Sequence, residues 1–181
     1  MPVFGRRITS FKNKNIIREQ NMNGENWRKD NFLISTDKDR LQFKRIHEFL
    51  SKEAYWSLEI PLDIVIKAAE GSWCFGLYDE AKVETPQIGY ARIVSDYATF
   101  AWICDVFVFS TYRGEGLAQW LLQIIMNHKM LQGLRRICLT TKDAHRLYEK
   151  FGFKITEIPQ SWMEIKDNDI YKKTKTLIND K

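Results

Sequence analysis

The stretch Asp105-Val-Phe-Val-Phe-Ser-Thr-Tyr-Arg-Gly-Glu-Gly-Leu-Ala118 passes from a strand pattern to a helix pattern through a glycine-rich turn. The predicted strand covers 100–109, and the helix covers 116–130, where apolar residues recur at helical spacing. The first N–H groups of a helix have no partners inside it, and the helix dipole adds partial positive charge. The two glycines allow close approach to the backbone, and Arg113 adds a fixed charge. The turn therefore predicts a site for a pyrophosphate group.

The turn by itself does not identify a nucleotide site. It lacks the Lys-Ser/Thr pair of a P-loop and the third glycine of a dinucleotide fingerprint. The strand before it also belongs to an antiparallel meander, not to a dinucleotide-binding βαβ unit. A helix start that needs glycine only for its backbone geometry is the alternative interpretation.

The remaining sequence predicts strands and helices in a definite order. Strand 32–35 and two amphipathic helices precede three strands with short connections, which indicates an antiparallel meander. The further predicted elements are strands 73–78, 87–95 and 100–109, helix 116–130, strand 136–140, a helix that Asp143 caps, and strands 153–158 and 162–165. The crossover through helix 116–130 makes the two strands that it joins parallel.

Composition and charge exclude several classes of protein. The chain has 181 residues, 44% of them hydrophobic, and no apolar run near the ~20 residues of a membrane helix. Most of its net charge of +5 lies in residues 1–21, so the rest is nearly neutral and a nucleic-acid partner is not favoured. The basic segment could be an arm for an anionic partner, a disordered extension, or a leader that precedes a start at Met22. It is a poor secretory signal, and we expect a cytoplasmic protein.

Cysteine and histidine usage predicts neither disulfides nor a metal site. The three cysteines, Cys74, Cys104 and Cys138, are far apart and odd in number, which favours small buried side chains in a reducing compartment. The histidines are scattered, and no His/Cys/carboxylate cluster has metal-ligand spacing.

Two motifs in combination resemble those of one enzyme superfamily. Arg113-x-x-Gly116-x-Ala118 is similar to the cofactor signature of the GCN5-related N-acetyltransferases (GNAT), and Ala144-His-Arg-Leu-Tyr-Glu-Lys-Phe-Gly-Phe153 is similar to their later helix and turn. The order of elements over 32–166 matches as well, and segment 88–100 looks like a branch of small bacterial members without a firmly assigned substrate. The resemblance implies an α/β fold of α+β type. Its mixed, mostly antiparallel sheet would be flanked by helices and contain a splayed parallel strand pair at the cofactor site.

The resemblance also implies acetyl-CoA as co-substrate and no metal. The pantetheine arm would pair with the backbone of Val106, Phe107 and Val108, whose side chains are otherwise core residues. The implied diphosphate site is formed by Arg113, Gly114, Glu115, Gly116, Leu117 and Ala118, with Asp143 and Tyr148 completing the cofactor-binding set.

The resemblance makes Tyr148 the general acid for the leaving thiolate, whose parent thiol has a pKa of about 8.5. The alternative is a core aromatic, because Tyr148 lies on the apolar face of its helix. Asp105 is the candidate base, since a carboxylate inside an apolar strand is costly unless it is paired or functional. The alternative is that Asp105 is the partner of a backbone group or of an arginine such as Arg92. Some relatives carry a catalytic Glu where this chain has Trp102, so a water chain or capture of the neutral amine stays open.

The acceptor side is predicted from exposed loops with aromatic residues. Tyr55, Trp56, Tyr97 and Trp102 are the candidate substrate contacts, unless these aromatics only close the sheet edge. They would suit a modest-sized amine with apolar character. The resulting hypothesis is an enzyme that moves the acetyl group of acetyl-CoA directly to a primary amine of a small molecule or peptide. A non-catalytic CoA or acyl-CoA sensor is the alternative, and relatives suggest a homodimer.

The sequence divides into three predicted parts. We expect a flexible basic extension over 1–24, a single acetyltransferase domain over 25–166, and a polar C-terminal tail over 167–181.

Overall fold

A computed structural model describes residues 16–21 and 24–173. In this part of the chain seven strands form one sheet in sequence order. The strands are β1 (Ile17–Asn21), β2 (Gly24–Lys29), β3 (Phe32–Ser35), β4 (Trp73–Asp79), β5 (Gln87–Ser95), β6 (Phe100–Val108) and β7 (Arg136–Cys138). Neighbours from β1 to β6 are antiparallel, and β6 and β7 are parallel. The predicted fold class, a mixed and mostly antiparallel sheet flanked by helices, is confirmed.

Helices cover both faces of the sheet because its strands alternate apolar side chains between the faces. The helices are α1 (Phe43–Lys52), α2 (Leu62–Glu70), α3 (Leu117–Asn127) and α4 (His145–Glu149). Tyr90 packs with the buried residues of α1 and α2, whereas its neighbour Ala91 packs with those of α3. The sheet thus separates two apolar layers, and strand β6 contributes to both.

Strand β6 has an irregularity at Asp105 that shapes the site. Tyr90 faces Phe107 and Arg92 faces Cys104, so the single β5 residue between them opposes two residues of β6. This is a β-bulge, and Asp105 has a φ of 51°, a conformation that Asp tolerates better than most residues. The bulge turns the Asp105 side chain toward the α1–α2 face, where it meets Arg92.

The parallel pair parts soon after it begins. Strands β6 and β7 are in register only from Phe100 to Trp102, opposite Arg136 to Cys138. Among the described residues, the later part of β6 has strand pairing only with β5, so its other edge keeps its backbone groups available. The predicted splay between these two strands is present.

Three local predictions are wrong. The structure has no strand in 153–158 or 162–165; a 3₁₀ turn, Pro159–Ser161, is the regular element there. Apolar alternation is not enough for a strand, because a strand also needs an edge to pair with, and β7 is only three residues long. The predicted Asp143 cap is also absent. Ala144 occupies the N-cap of α4, and its N–H donates to the Thr141 hydroxyl at 3.0 Å.

The N-terminal part of the sheet was not predicted. Strands β1 and β2 form a hairpin, and residues 17–21 of the predicted basic extension belong to it. Residues 1–15 and 174–181, on which the predictions for the two tails partly rest, lie outside the described residues. Within the described part of the chain, no helix combines the length and the apolar character needed to cross a membrane.

Candidate active site

A groove of about 260 Å³ lies at the start of helix α3. Its walls come from the end of β6, the glycine-rich turn, the first turn of α3 and one residue of α4: Val108, Tyr112, Arg113, Gly114, Gly116, Leu117, Ala118, Gln119 and Leu147. Gly114 and Gly116 have φ angles of 90° and 75°, and a β-carbon built on either would meet no atom within 4 Å. The space that these missing side chains leave is the groove itself.

Hydrogen bonds at both ends hold the turn in place. The N–H of Arg113 donates to the Ser110 carbonyl at 3.2 Å, and its guanidinium Nε donates to the Val108 carbonyl at 3.1 Å. The Tyr112 hydroxyl donates to the Asp79 carboxylate at 2.9 Å. Since the Arg113 N–H is used inside the turn, the N–H groups that α3 leaves unpaired lie further along, in its first turn.

A diphosphate fits this groove on physical grounds. The first turn of α3 supplies unpaired N–H groups and the positive end of the helix dipole, and no side chain from the two glycines obstructs it. The edge of β6 that β7 leaves free leads to the groove at Val108. The Phe107 ring stacks on Phe49 with centroids 3.9 Å apart, so only its main chain could serve a ligand.

The Asp105 carboxylate joins strands β5 and β6 to the loop after α1. It accepts hydrogen bonds from the guanidinium of Arg92 and, at 3.1 Å, from the indole Nε1 of Trp56. Arg92 also reaches the Ser72 hydroxyl at 3.3 Å. Burial opposes the charge of Arg92, but the Asp105 carboxylate and the Cys104 thiol outweigh that effect and raise the pKa of the guanidinium. Asp105 is therefore the ion-pair partner of Arg92, which is one of the alternatives that the sequence left open.

A second cavity, of about 160 Å³, opens beside this ion pair. Most of its lining is apolar or aromatic, and its charged groups are Arg92 and Asp105. The lining residues are Leu50, Trp56, Ser57, Ile60, Ile64, Val65, Ala68, Tyr90, Arg92, Asp105 and Tyr171.

Tyr148 lies in helix α4, directly after the groove residue Leu147. It is 8% exposed and packs edge to face on Phe153. Burial, with smaller effects from Tyr55 and Asp143, raises the pKa of the Tyr148 phenol to about 12. At neutral pH the phenol therefore keeps its proton.

The loop between α1 and α2 contacts both Asp105 and the segment before α4. Tyr55, in this loop, adds to the effect of burial that raises the pKa of the Tyr148 phenol. Tyr55 also packs edge to face on Trp56, with centroids 5.0 Å apart, and Trp56 donates to Asp105. The Tyr55 hydroxyl accepts the Lys142 N–H at 2.8 Å, which ties the loop to the start of the α4 region.

Comparisons with known proteins identify the family. The family described as "Acetyltransferase (GNAT) family" matches residues 36–153. The chain belongs to the GNAT acetyltransferase family. An acetyltransferase-named protein of Gibberella zeae, FG08082, is 34% identical over an alignment of 144 residues, and the match covers 70% of this chain and 80% of that protein.

Two solved structures show the same fold. A GNAT-family protein of Xanthomonas campestris pv. campestris is 42% identical, with a TM-score of 0.73, and the match covers 78% of this chain and 97% of that one. An acetyltransferase-named protein of Deinococcus radiodurans R1 is 16% identical, with a TM-score of 0.61 over 78% and 94% of the two chains. The second likeness concerns the fold alone.

The GNAT fold brings together some of the predicted acceptor residues and separates others. Tyr55 and Trp56 meet Asp105, as described above. Tyr97 packs near Trp73, which belongs with the α3 layer, and Trp102 packs near Trp162. Neither Tyr97 nor Trp102 lines the cavity beside the Arg92–Asp105 pair.

The cysteines of this GNAT protein are unsuited to covalent catalysis. Burial raises the pKa of the Cys104 thiol to about 11 and also raises the pKa values of Cys74 and Cys138. A thiol is nucleophilic as its thiolate, so all three are poor nucleophiles at neutral pH. In the part of the chain that the structure describes, no group of three or more His, Cys, Asp or Glu side chains could hold a metal.

The sequence did not single out Tyr171 as a site residue. Its segment was predicted as a polar tail, yet Tyr171 lines the cavity next to Arg92 and Asp105. The available signal was a lone aromatic residue within the polar run Asp167–Lys173.

Proposed function

We propose that this GNAT protein is an N-acetyltransferase that moves the acetyl group of acetyl-CoA directly to a primary amine of a small molecule or peptide. The observation that carries the proposal is the groove at the start of α3, which suits a diphosphate and lies at the end of the free edge of β6. A second cavity, beside the Arg92–Asp105 pair on the same strand, could receive the amine. When bound, acetyl-CoA would supply an activated acetyl group as a thioester.

Tyr148 is proposed to assist departure of the thiol. A phenol with a pKa of about 12 is a weaker acid than a thiol, whose pKa is about 8.5. Net proton donation to a thiolate would therefore be uphill, so the phenol acts first as a hydrogen-bond donor to the leaving sulfur. The proton that the amine releases on acylation can then reach the sulfur through the same hydroxyl.

Asp105 is proposed to attract and orient the amine. Its carboxylate already accepts hydrogen bonds from Arg92 and Trp56. An alkylammonium group, with a pKa near ~10, must lose a proton before it can attack. Loss of that proton to water, followed by attack of the neutral amine beside Asp105, fits a carboxylate that is already engaged in these contacts. The protonated cysteines favour direct transfer over an acetyl-cysteine route.

The test uses the full chain with acetyl-CoA and a panel of primary amines, and it follows release of free thiol. We expect Tyr148→Phe to lower kcat by about 100-fold or more, the usual contribution of a general acid. The acetyl-CoA Kd should stay within about twofold, because the groove residues are unchanged. Tyr97→Phe is the matched control, because it also removes a phenol hydroxyl, and Tyr97 lines neither the groove nor the cavity beside the Arg92–Asp105 pair.

Two outcomes would contradict the proposal in different ways. Equal turnover of Tyr148→Phe and the unaltered protein would remove Tyr148 from the mechanism. Tight acetyl-CoA binding without thiol release for any amine would favour the CoA-sensor alternative instead.

A further inference from the structure

The C-terminal segment contributes one aromatic side chain to the cavity beside the ion pair. Tyr171 is partly buried against the apolar layer of α1 and α2, whereas Asn168, Asp169 and Ile170 before it are exposed. Burial, and then the negative charge of Asp105, raise the pKa of the Tyr171 phenol. Geometry and electrostatics therefore place this ring at the cavity, close to the carboxylate.

This contact lies outside the region that matches the family, which ends at residue 153. The cavity is thus bounded by family elements, such as β5, β6 and α2, and by a segment that follows them. The additional wall distinguishes this chain's cavity from one that the family region alone would form.

The ring of Tyr171 packs on the α1–α2 layer. Two ion pairs within its segment are local and exposed: Lys173 pairs with Asp167 at 2.7 Å, and Lys172 pairs with Asp169 at 3.0 Å. Exposed pairs of this kind contribute little to stability. The apolar contact of Tyr171 therefore helps to hold the segment against the domain.

We propose that Tyr171 forms the outer wall of the acceptor cavity and limits the size of the amine that the enzyme accepts. The inference rests on the proposed function and adds the substrate class, a primary amine with a compact apolar substituent. The cavity, about 160 Å³, is smaller than the roughly 300–1,000 Å³ of sites for drug-sized ligands. The charged groups, Arg92 and Asp105, form one side of the cavity and can meet the amine, while apolar side chains such as Ile64 and Val65 can pack on its substituent.

The experiment compares Tyr171→Ala with Tyr171→Phe in the full chain, using unbranched primary alkylamines from propylamine to octylamine. Removing the ring should raise the ratio of kcat/KM for long over short amines by at least about tenfold, since a few methylenes in an apolar pocket have effects of that size. Tyr171→Phe keeps the ring and should keep the ratio within about threefold of the original. Met163→Ala, at a side chain 96% exposed and absent from the cavity lining, controls for a general effect of altering the C-terminal region.

A binding measurement distinguishes failure of this inference from failure of the proposed function. Calorimetry of the same amines against the CoA-bound proteins gives a size preference that needs no acetyl transfer. If amines bind but none is acetylated, the proposed function fails. A changed ratio of the Kd values for long and short amines in Tyr171→Ala would then still support the role of Tyr171 as a wall of the cavity. If Tyr171→Ala unfolds at the original temperature and keeps the original size preference in both assays, the inference is overturned. Absence of amine binding to the unaltered protein would overturn it as well.

Discussion

The ion pair between Arg92 and Asp105 should be energetically coupled, and a double-mutant cycle can measure that coupling. Asp105→Asn is the suitable first change, because Asn tolerates the φ of 51° at this position and can still accept the Trp56 hydrogen bond. Arg92→Met is the second, because it removes the charge but keeps an unbranched side chain of similar length. Each single change leaves one charge without its partner, whereas the double change leaves none.

The expected magnitude follows from the burial of the two side chains. They are 21% and 12% exposed, which is much closer to a buried pair than to a surface pair. Breaking a buried pair costs about 3–5 kcal/mol, and an exposed pair contributes about 0–1 kcal/mol. We therefore expect each single change to lower the free energy of unfolding by about 3 kcal/mol. The double change should cost about 4 kcal/mol, which leaves a coupling energy of about 2 kcal/mol.

The assay is urea denaturation at pH 7, followed by tryptophan fluorescence for the four proteins of the cycle. Repeating it in about 1 M salt should change the coupling little, because salt screens exposed pairs far more than buried ones. A coupling energy below about 0.5 kcal/mol would refute the reasoning, since that is the range of independent sites. Asp105 would then be no partner of Arg92 in solution, and its proposed orientation toward the amine would lose its support.

Two further predictions concern the hairpin and the groove. Burial raises the pKa of Glu25, but hydrogen bonds from Arg18 and His128 outweigh it, so the net pKa lies below the ordinary value of 4.5. The folded state then binds fewer protons than the unfolded state at Glu25. Stability should therefore fall as the pH drops from about 5 through the lowered pKa. Glu25→Gln should flatten that part of a curve of Tm against pH. Gly116→Ala should cost about 1–2 kcal/mol of stability because of its φ of 75°, and should raise the acetyl-CoA Kd at least about tenfold as its β-carbon enters the groove. Gly133→Ala is the control, because Gly133 has a φ of 80° but lies outside the groove; it should show a similar loss of stability with an unchanged acetyl-CoA Kd. A rise in Kd in both variants, or in neither, would contradict the assignment of the groove.

Local patterns predicted the central elements well. Strand β5 was expected at 87–95 and is Gln87–Ser95, because its polar ends and apolar alternation are local properties of the sequence. Helix α3 was expected from Gly116, which the structure places at its N-cap in a left-handed conformation. The prediction of strands in 153–166 failed because strand formation depends on a pairing edge, which no local pattern reveals.

The site was only partly predictable, for the same reason. Asp105 stood out because a carboxylate in an apolar strand demands an explanation, and Arg92 was considered as its partner. The bulge that brings them together was not foreseen, since it arises from the register of β6 against β5. The inclusion of Tyr97 among the acceptor residues rested on exposure in a loop, whereas in the structure Tyr97 packs near Trp73 and does not line the cavity beside the ion pair.

The sequence by itself determined the order of the elements from β3 to α4, the glycine-rich start of α3 and the family to which the chain belongs. These are properties of neighbouring residues: apolar periodicity, turn-forming glycines and motif spacing act over a few positions. The tertiary structure alone decided where β6 parts from β7, that Asp105 pairs with Arg92, and that Tyr171 lines the same cavity. Those contacts join residues 13 or more positions apart in the chain, and their formation depends on how the sheet and helices pack together.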